Sequence, residues 1–182
     1  MSTRKSTRKT ASRSRRDAIS LLKADHRQVA SWFSSFEKTR SEMRKQQLAS
    51  RICNALKVHA RIEEEIFYPA FLEQAQDEDM HHEAVVEHDA AKKLIAEIEA
   101  ATPTDEYYDA KLTVLSEMIK HHVKEEEQPG GMFAKARKSD MDLAELGQLL
   151  AARKKQLMNS SGSSAPRRSG AQRGTGRAEG RV

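Results

Sequence analysis

The chain has 182 residues, enough for one domain of ordinary size, and its charge is distributed unevenly. Residues 1–16 contain seven Lys or Arg and no acid, and residues 159–182 contain five Arg and one Glu. The body from 17 to 158 therefore holds 20 basic and 26 acidic residues, although the whole chain carries +5. The single Cys53 excludes an internal disulfide and favours a reducing, cytoplasmic compartment. No apolar run approaches the roughly 18 residues of a membrane span, so no membrane contact is expected.

The body is predicted to be helical almost throughout, because its apolar residues recur at steps of three and four. The first two helices are predicted over about 17–40 and 42–75. The third covers about 79–101 after a polar turn that can cap it, and the fourth covers about 105–127, with Thr104 as its N-cap. Short connections between these four helices predict an all-α fold, an antiparallel up-and-down four-helix bundle.

A fifth helix is predicted over about 140–157, with Ser139 or Asp140 as its N-cap, packed across one end or side of the bundle. Both ends of the chain are poor in apolar residues and are predicted to be disordered, because they cannot bury enough surface to offset the entropy of ordering. The expected organisation is a basic tail over 1–16, a four-helix bundle over 17–138, an accessory helix over 139–158 and a second basic tail over 159–182.

Histidines lie on the apolar stripe of each of the four bundle helices: His26, His59, His88 and His122. Two of them are followed four residues later by a glutamate, Glu63 or Glu126, which lies on the same helical face. Burying four imidazoles and two carboxylates without a cation would cost on the order of several kcal/mol per charge. The six side chains therefore predict a dinuclear metal site in the bundle core, with a ligand set that suits iron, zinc and manganese alike.

The stripes also distinguish between neighbouring histidines. They turn His122 inward and leave His121 on the flank, where it would pair with Glu125. They favour His81 over His82 as the inward residue, but His81 lies about 10 Å along the helix from the third-helix ligand, too far to bind the same ion. Most of the acids next to the six residues are predicted to be solvated, and one of them could bridge the metals or support a ligand. These acids are Glu64, Glu65, Glu125 and Glu127.

The order of the motifs resembles the hemerythrin HHE cation-binding domain family over residues 17–138. The resemblance is carried by Asp25-His26, by His59-x3-Glu63 running into Tyr68-Pro69, by Glu87-His88, and by the acidic run from His121 to Glu127. It implies an antiparallel four-helix bundle holding two non-haem irons, oxo- or hydroxo-bridged. The implied ligands are His26, His59, Glu63, His88, His122 and Glu126.

The same resemblance implies a protein that binds or reacts with oxygen, nitric oxide or peroxide, or that senses or handles iron, rather than a dedicated enzyme with catalytic residues. Oxygen-carrying hemerythrins place a second histidine four residues before the third-helix ligand, where this chain has Ala84. In this respect the chain resembles the HHE domains rather than the oxygen carriers. The alternative is a helical interaction module with a purely structural metal, whose basic tails bind nucleic acid weakly and with little sequence preference.

Overall fold

The computed structural model describes residues 17–162, so the disorder predicted for 1–16 and for 163–182 lies outside the described residues. Within this range every regular element is helical. The elements are α1 (Ala18–Lys38), α2 (Glu42–Ile62), a π-helical turn (Glu63–Phe67), α3 (Tyr68–Ala75), α4 (Glu78–Ala100), α5 (Tyr108–Glu127), α6 (Met132–Ala136) and α7 (Leu143–Gly162). None of these helices has an apolar stretch long enough to cross a membrane.

Helices α1, α2, α4 and α5 form the four-helix bundle that the periodicity predicts, and its interior is divided into two apolar clusters. One cluster fills one end of the bundle with residues such as Phe33, Ile52, Ile95 and Leu112. The other packs the remaining end against α3, α6 and α7, with Ile19, Phe67, Phe71, Phe133 and Leu150. On α1 the first cluster includes Val29 and the second includes Leu22, so His26 lies between the two.

The second predicted helix is interrupted by the π-helical turn, which the sequence did not reveal. The backbone N–H of Tyr68 donates to the carbonyl of Glu63, five residues earlier, as in a π-helix. In an α-helix these two residues would point in different directions. The wider turn brings Tyr68 back to the side of the helix that carries Glu63.

Side-chain caps are predicted for α4, α5 and α7, and two of these three predictions differ from the structure. Asp77 accepts a hydrogen bond from the N–H of Met80 at 3.2 Å, so the polar turn does cap α4. The predicted cap Thr104 is wrong, because the next residue, Asp105, closes a turn with the N–H of Thr102 at 2.6 Å and α5 begins only at Tyr108.

The cap of the last helix also differs from the prediction. The carboxylate of Asp142 accepts from the N–H groups of Ala144 and Glu145 at 3.1 and 2.9 Å. Asp142 therefore takes the place predicted for Ser139 or Asp140. The helix continues to Gly162, so residues 159–162 are helical rather than part of the tail.

Two C-terminal elements pack against the bundle. The short helix α6, which was not predicted, stacks the ring of Phe133 on that of His26, with centroids 5.8 Å apart and planes 9° from parallel. Helix α7 lies along the bundle side, as the fifth helix was expected to, with Leu150 fully buried. Its Arg153 holds Glu65 of the π-helical turn through contacts of 2.6 and 3.1 Å.

Candidate metal centre

Six buried polar side chains form a layer between the two apolar clusters, and we call them the central site: His26, His59, Glu63, His88, His122 and Glu126. Four helices supply the histidines, one each, because each histidine occupies the apolar stripe of its own helix. None of the six exposes more than 8% of its surface, and Glu63 exposes none. The structure thus brings together all six residues that the sequence selected.

The Nε2 atoms of the histidines face inward in two pairs. His26 and His59 approach to 3.0 Å between their Nε2 atoms, and His88 and His122 approach to 3.2 Å. Two imidazole nitrogens at this distance can share only one proton between them. The geometry therefore places four nitrogen lone-pair positions around a common centre.

Each buried carboxylate spans both histidine pairs. Glu63 places Oε1 at 3.2 Å from Nε2 of His59 and Oε2 at 3.5 Å from Nε2 of His88. Glu126 places Oε2 at 3.3 Å from Nε2 of His26 and Oε1 at 3.7 Å from Nε2 of His122. A carboxylate with one oxygen on each pair is arranged to bridge two cations.

The ligand atoms form two overlapping groups, each small enough to surround one ion. His26, His59, Glu63 and Glu126 make the first group, and Glu63, His88 and His122 make the second. Within each group the ligand atoms lie within 4.8 Å of one another. Because Glu63 belongs to both groups, two ions held here would be neighbours.

Hydrogen bonds within the protein leave several polar atoms of the central site unpaired, and bound cations would pair them. Both oxygens of Glu63 and Oε2 of Glu126 are buried without a hydrogen-bond partner. Buried polar atoms are normally paired, and an unpaired buried carboxylate is strongly unfavourable. Imidazole nitrogen and carboxylate oxygen together suit iron, zinc or manganese, so bound cations would satisfy these atoms.

Protonation within the site reflects the crowding of like groups. Burial, followed by the charge of Glu63, raises the pKa of Glu126. Burial opposes ionisation of Glu63 as well, but the positive charge of His59 outweighs it and lowers the pKa of Glu63. The two carboxylates thus behave oppositely in the absence of a cation, and metal binding at this site would release protons.

The pKa values of the two histidines in the first pair, His26 and His59, are shifted in opposite directions. Burial, and then the charge of His59, lower the pKa of His26 to about 4. Burial would lower the pKa of His59 too, but Glu63 and Asp25 outweigh it and raise that pKa to about 10. Near neutral pH the pair therefore carries one positive charge, on His59, and a single proton lies between the two Nε2 atoms, as the 3.0 Å contact requires.

The outward nitrogens of all four histidines face carboxylates. Nδ1 of His122 donates to Glu87 at 2.7 Å, and Nδ1 of His59 lies 3.6 Å from Asp25, just beyond hydrogen-bond distance. The other two contacts are His26 with Glu127 at 2.8 Å and His88 with Glu64 at 3.0 Å. Such carboxylates fix the ring orientation and leave Nε2 unprotonated for a metal.

The adjacent acids thus divide into two sets that the sequence could not distinguish. Glu64 and Glu127 support histidines. Glu65 binds Arg153 and Arg61 at the surface, and its pKa is lowered to about 2 by these hydrogen bonds. Glu125 contacts only the flank residue His121 among the histidines of the described chain, at 3.2 Å.

Tyr68 lies at the site although it is not one of the six ligands that the sequence predicts. Its hydroxyl lies 3.3 Å from Nε2 of His88 and donates to Oε1 of Glu126 at 3.4 Å. Burial, and then Glu63 and Glu126, raise its pKa well above the usual value, so the phenol keeps its proton. Its position depends on the π-helical turn, which the local sequence does not mark.

The remaining histidines lie where the stripes predicted. His121 is 61% exposed in its side chain, on the flank of α5. His81 faces inward but packs edge-on against the ring of Tyr68, with centroids 5.7 Å apart, and belongs to neither ligand group.

A helical bundle with a buried centre of four histidines and two carboxylates defines a cation-binding protein. The model of the hemerythrin HHE cation binding domain matches residues 17–129, and the chain belongs to this family. A crystal structure of a hemerythrin HHE cation binding domain-containing protein from Mycobacterium kansasii has the same fold, with a TM-score of 0.66 and 24% identity. The match covers 80% of this chain and 89% of that one.

A curated relative is similar over a smaller region. It is a DNA nickase of Nostoc sp. (strain PCC 7120 / SAG 25.82 / UTEX 2576), 24% identical over 110 residues. The match covers 59% of this chain, and the chain spans only 30% of the length of that relative.

Proposed function

We propose that this chain is a non-haem diiron protein that binds or reacts with oxygen, nitric oxide or peroxide, or that senses or handles iron. The observation that carries the proposal is the pair of buried carboxylates, each with one oxygen on either histidine pair. We infer a binding or sensing protein rather than a dedicated enzyme. The buried free thiol of Cys53 supports a reducing compartment such as the cytoplasm.

The six residues of the central site would hold the two ions between them. His26 and His59 would bind one ion, His88 and His122 the other, and Glu63 and Glu126 both. This set of four nitrogens and two carboxylates suits several metals, and the choice of iron rests on membership of the family. When bound, two irons supply one-electron chemistry and open positions for a small ligand.

Protein side chains around the site restrict what can reach it. A cavity of about 30 Å³ adjoins the four histidines and is walled by apolar residues, including Val29, Leu56, Ile95 and Ile119. Its volume suits a diatomic molecule or a single water. The hydroxyl of Tyr68 lies 3.3 Å from Nε2 of His88 and holds a proton that it can donate to Glu126. Both features favour a small ligand over an organic substrate.

Optical spectroscopy tests this proposal. Full-length protein loaded anaerobically with Fe(II) is exposed to oxygen, nitric oxide or peroxide, and spectra are taken before and after. We expect near-ultraviolet absorption after oxygen exposure and a separate change with nitric oxide. The His59→Ala variant should show neither, because it lacks one ligand of the first ion. A wild-type spectrum that stays unchanged with all three reagents would refute the proposal.

A second candidate function is a helical interaction module whose metal is only structural. Twelve Lys or Arg against one acid in residues 1–16 and 159–182 favour binding to phosphates, and one similar protein is named a DNA nickase. Under this alternative the bundle would hold a metal such as zinc, and its optical spectrum would be silent. A spectrum of the protein as purified in air, before any iron is added, therefore separates the two candidates.

A further inference from the structure

We propose that Glu87, His121 and Glu125 form an outer cation site through which metal passes to the central site. The inference rests on the proposed metal-binding function of the central site. The outer site lies on the flank of the bundle, between α4 and α5.

Three ligand atoms converge at the outer site. Nε2 of His121 lies 3.2 Å from Oε1 of Glu125 and 3.4 Å from Oε1 of Glu87. All three atoms lie within 4.8 Å of one another, as in the two central groups. One nitrogen and two carboxylate oxygens with solvent at hand suit a divalent transition metal that keeps some of its waters.

Charge at this location favours a cation. Within the described residues, the ion pairs of Glu87 and Glu125 involve histidines and no Lys or Arg. Glu83 adds a third carboxylate to the same surface pocket. None of the three acids has a lysine or arginine partner in the part of the chain that the structure describes, so together they give a negative potential that attracts a metal ion from solvent.

One pocket borders residues of both sites. Its volume is about 90 Å³, and its lining includes Glu87 and Glu125 of the outer site together with His122 and Glu126 of the central site. Glu126 exposes only 2% of its surface, and its Oε2 is buried without a hydrogen-bond partner. This unpaired oxygen of a buried carboxylate gives a cation leaving the outer site a favourable next position.

Glu87 contacts one histidine of the outer site and one of the central site. Its Oε2 accepts from Nδ1 of His122 at 2.7 Å, while its Oε1 faces His121. A cation on Oε1 would leave the His122 contact intact. Glu87 can therefore receive metal at the outer site while it continues to orient a central histidine.

Helix α5 explains why the two sites lie side by side. It carries two overlapping His–Glu pairs four residues apart, His121 with Glu125 and His122 with Glu126. Neighbouring residues on an α-helix differ by about 100° in direction, so one pair faces the core and the other faces the flank. The same short stretch thus supplies ligands to both sites.

Cation counting tests the outer site. Full-length protein freed of metal is dialysed against Co(II), and bound Co(II) per chain is measured for the wild type, His121→Ala and His59→Ala. His82→Ala, which removes an exposed histidine of α4, is the matched control. We expect His121→Ala to bind one cation fewer than the wild type, and His82→Ala to bind the same number. Glu125→Gln should reproduce the loss in a second variant.

Loading kinetics test the route. Anaerobic Fe(II) uptake by the metal-free protein should be at least about tenfold slower in His121→Ala, with the same iron retained after removal of loosely bound metal. Equal Co(II) counts in His121→Ala and the wild type would overturn the outer site, and an unchanged uptake rate would overturn the route. If His59→Ala kept the full count, the central site would be wrong, while the comparison with His121→Ala would still decide the outer site.

Discussion

Glu127 accepts a hydrogen bond from Nδ1 of His26 at 2.8 Å, and this contact joins the last bundle helix to the first. The same relationship recurs around the bundle, since each helix supplies a carboxylate to the histidine of the next. The remaining contacts are Asp25 of α1 with His59 of α2, Glu64 of the π-helical turn with His88 of α4, and Glu87 of α4 with His122 of α5. The four contacts form a closed ring, so the orientation of each histidine depends on a neighbouring helix.

Removing the metal should destabilise the protein. The central carboxylates and imidazoles then lie together with three oxygen atoms unpaired. At free Fe(II) about 100 times the dissociation constant, mass action contributes about 2.7 kcal/mol, which for a chain of this size raises Tm by roughly 5–10 °C. Calorimetry of chelated protein with and without added Fe(II) measures the difference. Equal Tm values after verified metal removal would argue against a buried site.

Alanine substitutions on α5 should distinguish inward from outward histidines. His122→Ala should lose most of the central iron, because an inward nitrogen disappears and Glu126 loses a neighbour. His121→Ala should keep the central iron, since its side chain lies on the flank. Iron analysis after gel filtration in the presence of a mild chelator compares the two. Loss of the central iron in His121→Ala, with retention in His122→Ala, would mean that the orientation of the helix is wrong.

Helix α7 should influence the central site through Lys154. The ammonium group of Lys154 contacts Asp25, which in turn lies 3.6 Å from Nδ1 of His59. Lys154→Ala should weaken iron binding by up to about tenfold, because Asp25 loses the partner that positions it. Global stability should change by less than about 1 kcal/mol, since the ion pair is partly exposed.

The matched control for this substitution is Lys155→Ala, which removes an exposed lysine one residue along the same helix. Chelator competition gives the iron affinity of both variants, and calorimetry gives their stability. Identical affinities in the two variants would show that α7 does not act through Asp25.

The periodicity of the sequence predicts the bundle and the six central residues because inward direction depends only on helical phase. Asp25, Glu64, Glu87 and Glu127 were harder to interpret, since each supports a histidine of another helix and that contact depends on how the helices pack. Each lies next to a central residue in sequence, which is the one signal that could have marked it.

The direction of the Tyr68 side chain and the start of α5 could not be predicted from the sequence, because both depend on local hydrogen bonds. The π-helical turn has no sequence marker here, and only that turn directs Tyr68 toward Glu126. At the start of α5, Thr104 and Asp105 are both able to cap, and the turn closed by Asp105 decides where the helix begins. Competing local hydrogen bonds of this kind determine where a helix begins or ends without affecting the fold.

The basic ends of the chain should be dispensable for metal binding and necessary for binding DNA. All six central residues lie within 17–162, whereas residues 17–158 have more acids than bases and should be repelled by phosphates. The 17–162 fragment should keep the full iron load and lose DNA binding. Full-length protein should bind DNA weakly, with an affinity that falls steeply as salt rises, because counterions are released. DNA affinity in the fragment, or full-length affinity insensitive to salt, would contradict this assignment.

Iron content per chain tests the central claim most directly. Full-length protein loaded anaerobically and cleared of loosely bound metal should retain about two irons per chain, held by four histidines and two carboxylates. His59→Ala should lose most of this iron, because it removes one nitrogen of the first ion and the partner of Glu63. A wild type that retains no iron, or a His59→Ala variant that retains as much as the wild type, would contradict the account.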